Sequence, residues 1–256
     1  MMKRRFTFGQ YDLSEFLHVE SIERPPLQVK NHFAESDERE EIFLYNNTCG
    51  KDIVVKARYI APYGKDKNCD LFASTGITAK NGKRVSLAEM LYTNKPQKLY
   101  LDDRDEEGHI YDLCVVDGEV TREDFAYTSL YTIRFHSAYD CSFGEEVERE
   151  ILNGETVTNY GNKEVFPYME FTTKGGEVKI WNSANKDTFV FTHPQSDYQI
   201  SVDNEKLTTH MTGTDVGMDR HLSITSRWQH LPPGETHIFF SGIDKLRVVL
   251  VPRYIG

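Results

Sequence analysis

Tryptophan and cysteine are scarce in this chain of 256 residues, with two of the first and four of the second. The cysteines, Cys49, Cys69, Cys114 and Cys141, stand far apart and none forms a C-x-x-C pair. That spacing encodes neither a dithiol redox motif nor a zinc ribbon, and four thiols are too few to staple a chain of this size. Basic residues are in deficit too: 30 Lys and Arg against 40 Asp and Glu leave a formal net charge of −10. Such a balance argues against stable binding to nucleic acid, which needs clustered cations to displace counterions. Long hydrophobic runs are missing, and no window approaches the ~18 apolar residues of a membrane span. The basic start, Met1 to Arg5, is not followed by the apolar stretch of a signal peptide. The expectation is a protein made in a cytoplasm, with reduced, half-buried thiols and no membrane span.

Signatures of catalysis are also absent. The chain has no H-E-x-x-H, no G-x-S-x-G, no phosphate-binding P-loop and no strand-linked G-x-G-x-x-G. Asp103-x-Asp105-x-Glu107-Gly108 imitates the first half of a calcium loop, but the twelfth position is Cys114 where a bidentate Glu is needed. This stretch is expected as an acidic hairpin tip. The nine His residues are scattered. No catalytic, cofactor-binding or metal-binding residue is assigned, and no enzyme is expected; the many carboxylates leave a glycosidase pair open as a third-ranked reading.

What is present is strand. Fifteen Phe and fourteen Tyr favour pleated, half-buried surfaces. Phe6, Phe8 and Tyr11 alternate around a Gly9-Gln10 turn, and Leu17, Val19 and Ile22 follow as a second extended run that Arg24-Pro25-Pro26 stops. Residues 35–41 are a charge run suited to a solvated hairpin tip. Strands are expected at 42–45 and 53–60, with a turn cluster at 46–50 and a long loop over 62–84. One helix is clear: Ser86-Leu87-Ala88-Glu89 is a capping box with Leu87, Met90 and Leu91 on one face, and Pro96 ends it. A hairpin joins 99–101 to 109–116, and 130–136 is an alternating strand. Residues 145–154 carry charge without a core pattern and are expected as a linker. Beyond them short strands are expected near 166–172, 177–182, 189–192, 198–202, 221–226, 238–241 and 246–251, the spacing of an antiparallel sandwich.

Near the C-terminus, Trp228 leads through Leu231-Pro232-Pro233-Gly234 into Ile238-Phe239-Phe240 and Gly242. Pro233 sets the corner of a turn, Gly234 supplies a permissive φ, and the apolar run is a strand. Trp228 is expected in the core. Trp181 suits either the core or a sugar-stacking platform.

Taken in order, these motifs resemble the distal tail proteins (Dit) of long-tailed, non-contractile phages and prophages. The resemblance rests on Phe6-Thr7-Phe8-Gly9, the Arg24-Pro25 step, Leu99 to Asp103, Tyr131 to Tyr139, Thr156 to Asn162, and the segment from Trp228 through Pro233 and Gly234 to Gly242. It implies an all-β fold with one short helix: an N-terminal ring-forming β domain at 1–144, a linker at 145–154 and a C-terminal galectin-like β-sandwich at 155–256. It further implies a non-enzymatic homo-hexameric ring at the virion tail tip, assembled in the host bacterial cytoplasm. Its partners would be tail tube, tape measure, and tail-associated or receptor-binding proteins, while DNA only passes through. Glu38, Arg39 and Glu40 are the expected ring-interface residues. The second-ranked reading is a carbohydrate-binding module, although the H-x-N-P-R and W-G-x-E patterns of sugar-binding galectins are missing and Trp181 is followed by Asn182-Ser183.

Overall fold

The computed structural model describes residues 4–25, 29–35, 41–48, 50–60, 77–78, 84–103, 109–125 and 128–255. Lys3, Glu38, Arg39, Glu40, Cys49, Cys69, Asp105, Glu107 and Gly108 lie outside the described residues. The chain divides into two compact units, Met1–Ser142 and Phe143–Gly256.

The first unit begins with β1 (Phe6–Phe8), β2 (Tyr11–Asp12), β3 (Leu17–Glu23), β4 (Val29–Glu35), β5 (Glu41–Thr48) and β6 (Lys51–Ile60). It continues with β7 (Ile77–Thr78), β8 (Arg84–Val85), α1 (Leu87–Leu91), β9 (Gln97–Leu101), β10 (Tyr111–Val116), β11 (Thr121–Asp124) and β12 (Thr128–Ser137); β13 (Ser142–Phe143) straddles the division. The main sheet runs β2-β1-β9-β10-β12-β6-β3, with β11 against β12. Alternation sends Tyr131, Ile133 and Phe135 of β12 inward with Ile53 and Val55 of β6. Phe135 meets Phe6 edge-on at 6.1 Å and Phe8 at 5.1 Å, within the range where ring pairs add to their buried area. The capping box forms: Glu89 N–H donates to Ser86 Oγ at 3.2 Å and Ser86 N–H to Glu89 Oε2 at 2.8 Å. Leu87, Met90 and Leu91 are buried by that single turn and a half.

This unit departs from the sequence reading in several places. Strands β4, β11 and β13 were not anticipated. Asn46, Asn47 and Thr48, expected as a turn, extend β5, because each is paired across the hairpin with β4. The 62–84 loop includes a short β7–β8 ladder. The helix stops at Leu91, before Pro96, since the Tyr92 backbone is already extended.

The second unit contains β14 (Val147–Ile151), β15 (Thr156–Asn159), β16 (Tyr168–Asn182), β17 (Thr188–Asp203), β18 (Thr208–Met211), β19 (Gly234–Ser241), β20 (Leu246–Leu250) and β21 (Arg253–Tyr254). The two long strands β16 and β17 pair throughout, with register shifts between Thr172 and Gly176. Before the shift β16 pairs with β20, which carries β14; after it, β16 pairs with β19, which carries β15. Four expected strands are therefore two, bent by a bulge in place of a turn. Side chains from both sides of the bend, Met169 and Phe171 with Val178 and Ile180, enter one core.

The 145–154 segment, expected as a linker, instead carries β14. Glu148, Arg149 and Glu150 face solvent while only Ile151 is fully buried, so an edge strand left little apolar pattern to read. The strand expected at 221–226 is also absent. Asp219–His221 is a 3-10 turn, Ile224 is 99% exposed, and Ser223 binds the backbone of Thr225 and Ser226. Local side-chain and turn bonds there compete with a ladder.

Candidate assembly interface

Asp112 sits in the middle of β10, where the face shared with Cys114 should be apolar, and it is 2% exposed. Two cations reach it. Arg24, one residue past β3, donates from Nη1 to Asp112 Oδ2 at 2.8 Å, and Lys51 Nζ, at the start of β6, lies 2.6 Å from Asp112 Oδ1. Ser142 Oγ donates to the same Oδ1 at 2.7 Å. Arg24 also forks onto Asp103, with Nε at 2.6 Å and Nη2 at 3.0 Å. Two cations thus face two carboxylates, and each buried charge has a partner.

Burial alone would raise the Asp112 pKa, but the nearby charges of Arg24 and Lys51, with the Lys51 and Ser142 hydrogen bonds, outweigh it and hold the carboxyl below its ordinary value. For Arg24, burial opposes the charge while Asp103 and Asp112 more than restore it, and the guanidinium is held more firmly protonated than usual. The neighbouring Cys114 thiol is pushed up, first by burial and then by the Asp112 charge, which leaves it chemically quiet.

The cluster brackets an excursion of the chain. Between Arg24 and Lys51 run β4 and β5, an antiparallel hairpin that is a two-stranded sheet of its own. Glu35 pairs with Glu41 at the end of the ladder away from Arg24 and Lys51; residues 36–40 of the charge run expected at a hairpin tip lie outside the described residues. Strands of seven and eight residues span about 23–26 Å. Among the described residues neither long edge of this hairpin is paired. A free two-stranded ribbon is marginal in water, and its edges are templates for another chain. The return at Gly50 is tight: a Cβ there would stand 2.1 Å from the Ser137 carbonyl oxygen.

The other motif residues play structural parts. Pro25 follows Arg24 outside any ladder. Trp228 is half-buried against the second core with its ring 5.9 Å from Phe189, as expected. Pro233 is at a bend, and Gly234 has φ +93 at the first position of β19. Trp181 stacks on its cross-strand partner Phe239 at 5.8 Å. Sequence reasoning singled out Arg24 but missed Asp112, Lys51, Asp103 and Ser142. The available signal was an acidic residue on the Cys114 face of a strand. Among the described residues no group of three His, Cys, Asp or Glu is placed to hold a metal ion, and no helix is long and apolar enough to cross a membrane.

No protein-family model matches the chain, and no curated protein does. Solved structures do. The chain superposes on the SPP1 Dit protein, a hub of the adsorption apparatus in phages that infect Gram-positive bacteria, with a TM-score of 0.72 and 13% identity over 98% of this chain and 99% of that one. It also superposes on a chain of the phage P2 baseplate in its activated, calcium-containing conformation, with a TM-score of 0.52 and 11% identity over 98% of each. The fold of this chain is the Dit fold, β-rich with one short α-helix among the described residues.

Proposed function

We propose that this protein is a distal tail protein, a non-enzymatic structural subunit of a phage tail tip. The observation that carries the reading is the match to SPP1 Dit over 98% of this chain and 99% of that one. Function does not follow from fold in general, and here the β4–β5 hairpin, unpaired at its outer edges among the described residues, adds a physical reason. A ring built from identical subunits needs two complementary surfaces on each. A protruding two-stranded ribbon that pairs with a neighbour supplies one of them by strand addition.

The subunit closes into a homo-hexameric ring through the first unit, with Glu38, Arg39 and Glu40 at the hairpin tip meeting the next subunit. The ring joins tail tube and tape measure on one side to tail-associated and receptor-binding proteins on the other, at the tip of a virion assembled in a bacterial cytoplasm. A net charge of −10 per subunit keeps the passage from retaining the genome. Size-exclusion chromatography with light scattering tests the reading: a particle of six subunits is expected, and a monomer at all accessible concentrations refutes ring formation. A mobility-shift titration at low salt should show no duplex binding by the rings.

A further inference from the structure

The alternation of β16 fixes which way Trp181 faces. Ile180 and Asn182 are buried on either side of it, so the indole points away from the core. Its cross-strand partner Phe239 does the same between buried Ile238 and Phe240. Neither ring is part of the second core or of the side chains packed against it. Two large aromatic side chains thus stand together, half-buried, on the outward face of β15, β19, β16 and the first half of β17.

The pair is braced. The rings lie 5.8 Å apart and 17° from parallel, so one face of the indole rests against Phe239. Gly154 backs the far edge of Phe239, where an added Cβ would stand 3.6 Å from the ring. On the other side of Trp181 the neighbouring strand offers only Thr188, a short side chain. Lys179, two residues back on the same face, is drawn to Glu177 at 2.7 Å, away from Trp181. Arg227, beside Thr188, turns back to the Ser226 carbonyl. Among the described residues no second ring and no cation stacks on the indole.

A polar row borders the rings. His237 follows Phe239 on the same face of β19, with ring centroids 6.4 Å apart. Its Nδ1 lies 3.2 Å from the Gly154 carbonyl oxygen and 3.2 Å from Thr156 Oγ1. A carbonyl only accepts, so in the neutral ring Nδ1 holds the hydrogen and exposed Nε2 is an acceptor. Ser183 Oγ accepts from the His237 backbone N–H at 3.1 Å, which leaves its own hydroxyl hydrogen to donate. An apolar strip two rings wide is small beside the ~800 Å² per partner of a protein interface. Glu235, the other carboxylate of β19, is four residues from Phe239, about 13 Å along the strand. A pyranose has a hydrocarbon face edged by hydroxyls that both donate and accept, which matches a fixed ring face bordered by one acceptor and one donor.

We propose that Trp181, braced by Phe239, is the stacking platform of a site for a neutral saccharide, whose hydroxyls meet His237 Nε2 and Ser183 Oγ. The site does not rest on the tail-hub reading. The chain has two tryptophans, so in the full-length Trp228→Phe variant all indole emission comes from Trp181. Titration with glucose, galactose, rhamnose and N-acetylglucosamine should change that emission for at least one sugar, with a millimolar or tighter Kd. The same sugar should shield Trp181 from iodide quenching, and inorganic phosphate and spermidine should do neither. In saturation-transfer NMR on the otherwise native chain, Trp181→Ala should weaken binding about tenfold or more and Ser183→Ala about threefold, while Gln199→Ala on the other sheet should leave it unchanged. Ser183→Ala decides the matter if thermal melting shows Trp181→Ala to be unfolded. The proposal is overturned if no sugar changes the emission, if phosphate or spermidine acts as the sugars do, or if binding survives in folded Trp181→Ala. Failure of iodide to quench Trp181 in the free chain also overturns it, because the platform would then be covered by protein.

Discussion

Arg24 and Lys51 ligate opposite oxygens of one carboxylate, that of Asp112, and the β4–β5 hairpin is the chain between them. The chain on either side of the two-stranded ribbon is thus pinned to a single buried point in the main sheet. A buried ion cluster adds little net stability over an apolar replacement, but it is costly to break on one side. Its value here is geometric, because it fixes where the ribbon leaves and re-enters the sheet.

Asp112→Asn should therefore destabilise the first unit by about 3–5 kcal/mol, the cost of leaving buried cations unpaired. Denaturant unfolding followed by Trp-independent far-UV signal reads it out. A change within 0.5 kcal/mol would mean that solvent already screens the cluster.

The acid response follows from the direction of the Asp112 shift. Its folded pKa is held below the ordinary 3.8, so its stabilisation is complete above that value and disappears as the pH falls through the folded pKa. The gap in stability between native protein and Asp112→Asn should stay constant from pH 7 to pH 5 and narrow below about pH 4. A gap that narrows near pH 6 would assign the effect to a histidine.

Deleting residues 35–41 should leave a folded subunit, since the Arg24–Asp112–Lys51 anchor lies at the other end of the hairpin. Light scattering should then report monomers in place of rings. Persistence of hexamers would move the interface away from Arg39 and its neighbours.

Gly242→Ala tests the second unit. Gly242 has φ +83, and a Cβ would come within 2.3 Å of the Glu177 carbonyl oxygen. Strain and clash act together, so the loss should exceed about 1 kcal/mol. Thermal unfolding should shift downward for this variant, while Gly213→Ala, whose Cβ meets nothing within 4 Å, should lose only the smaller cost of its positive φ.

Independent folding of the two units is a further expectation. Limited proteolysis between residues 143 and 154 should leave two resistant fragments. Because β14 occupies Val147–Ile151 and pairs with β20, the first cuts should fall before Val147. Immediate loss of either fragment would show that its core depends on the other.

Much of the architecture was legible in the sequence because it depends on near neighbours. The capping box at Ser86 and Glu89, the alternation of Tyr131, Ile133 and Phe135, the Gly9-Gln10 turn and the φ demanded at Gly234 are each set within a few residues. These local rules determined a β-rich chain with one short helix, and the ordered motifs pointed to the Dit fold. Tertiary structure decided what depends on distant partners. Glycines between Thr172 and Gly176 bend one strand instead of ending it, because β17 pairs on both sides of the bulge. Glu148 to Glu150 form a strand because β20 offers an edge. Asp112 is a charge inside a sheet only because Arg24 and Lys51, 88 residues and 61 residues away in the chain, arrive on the same side of it. Long-range pairing leaves no period in a sequence, and so the anchor of the hairpin became visible only in the folded protein.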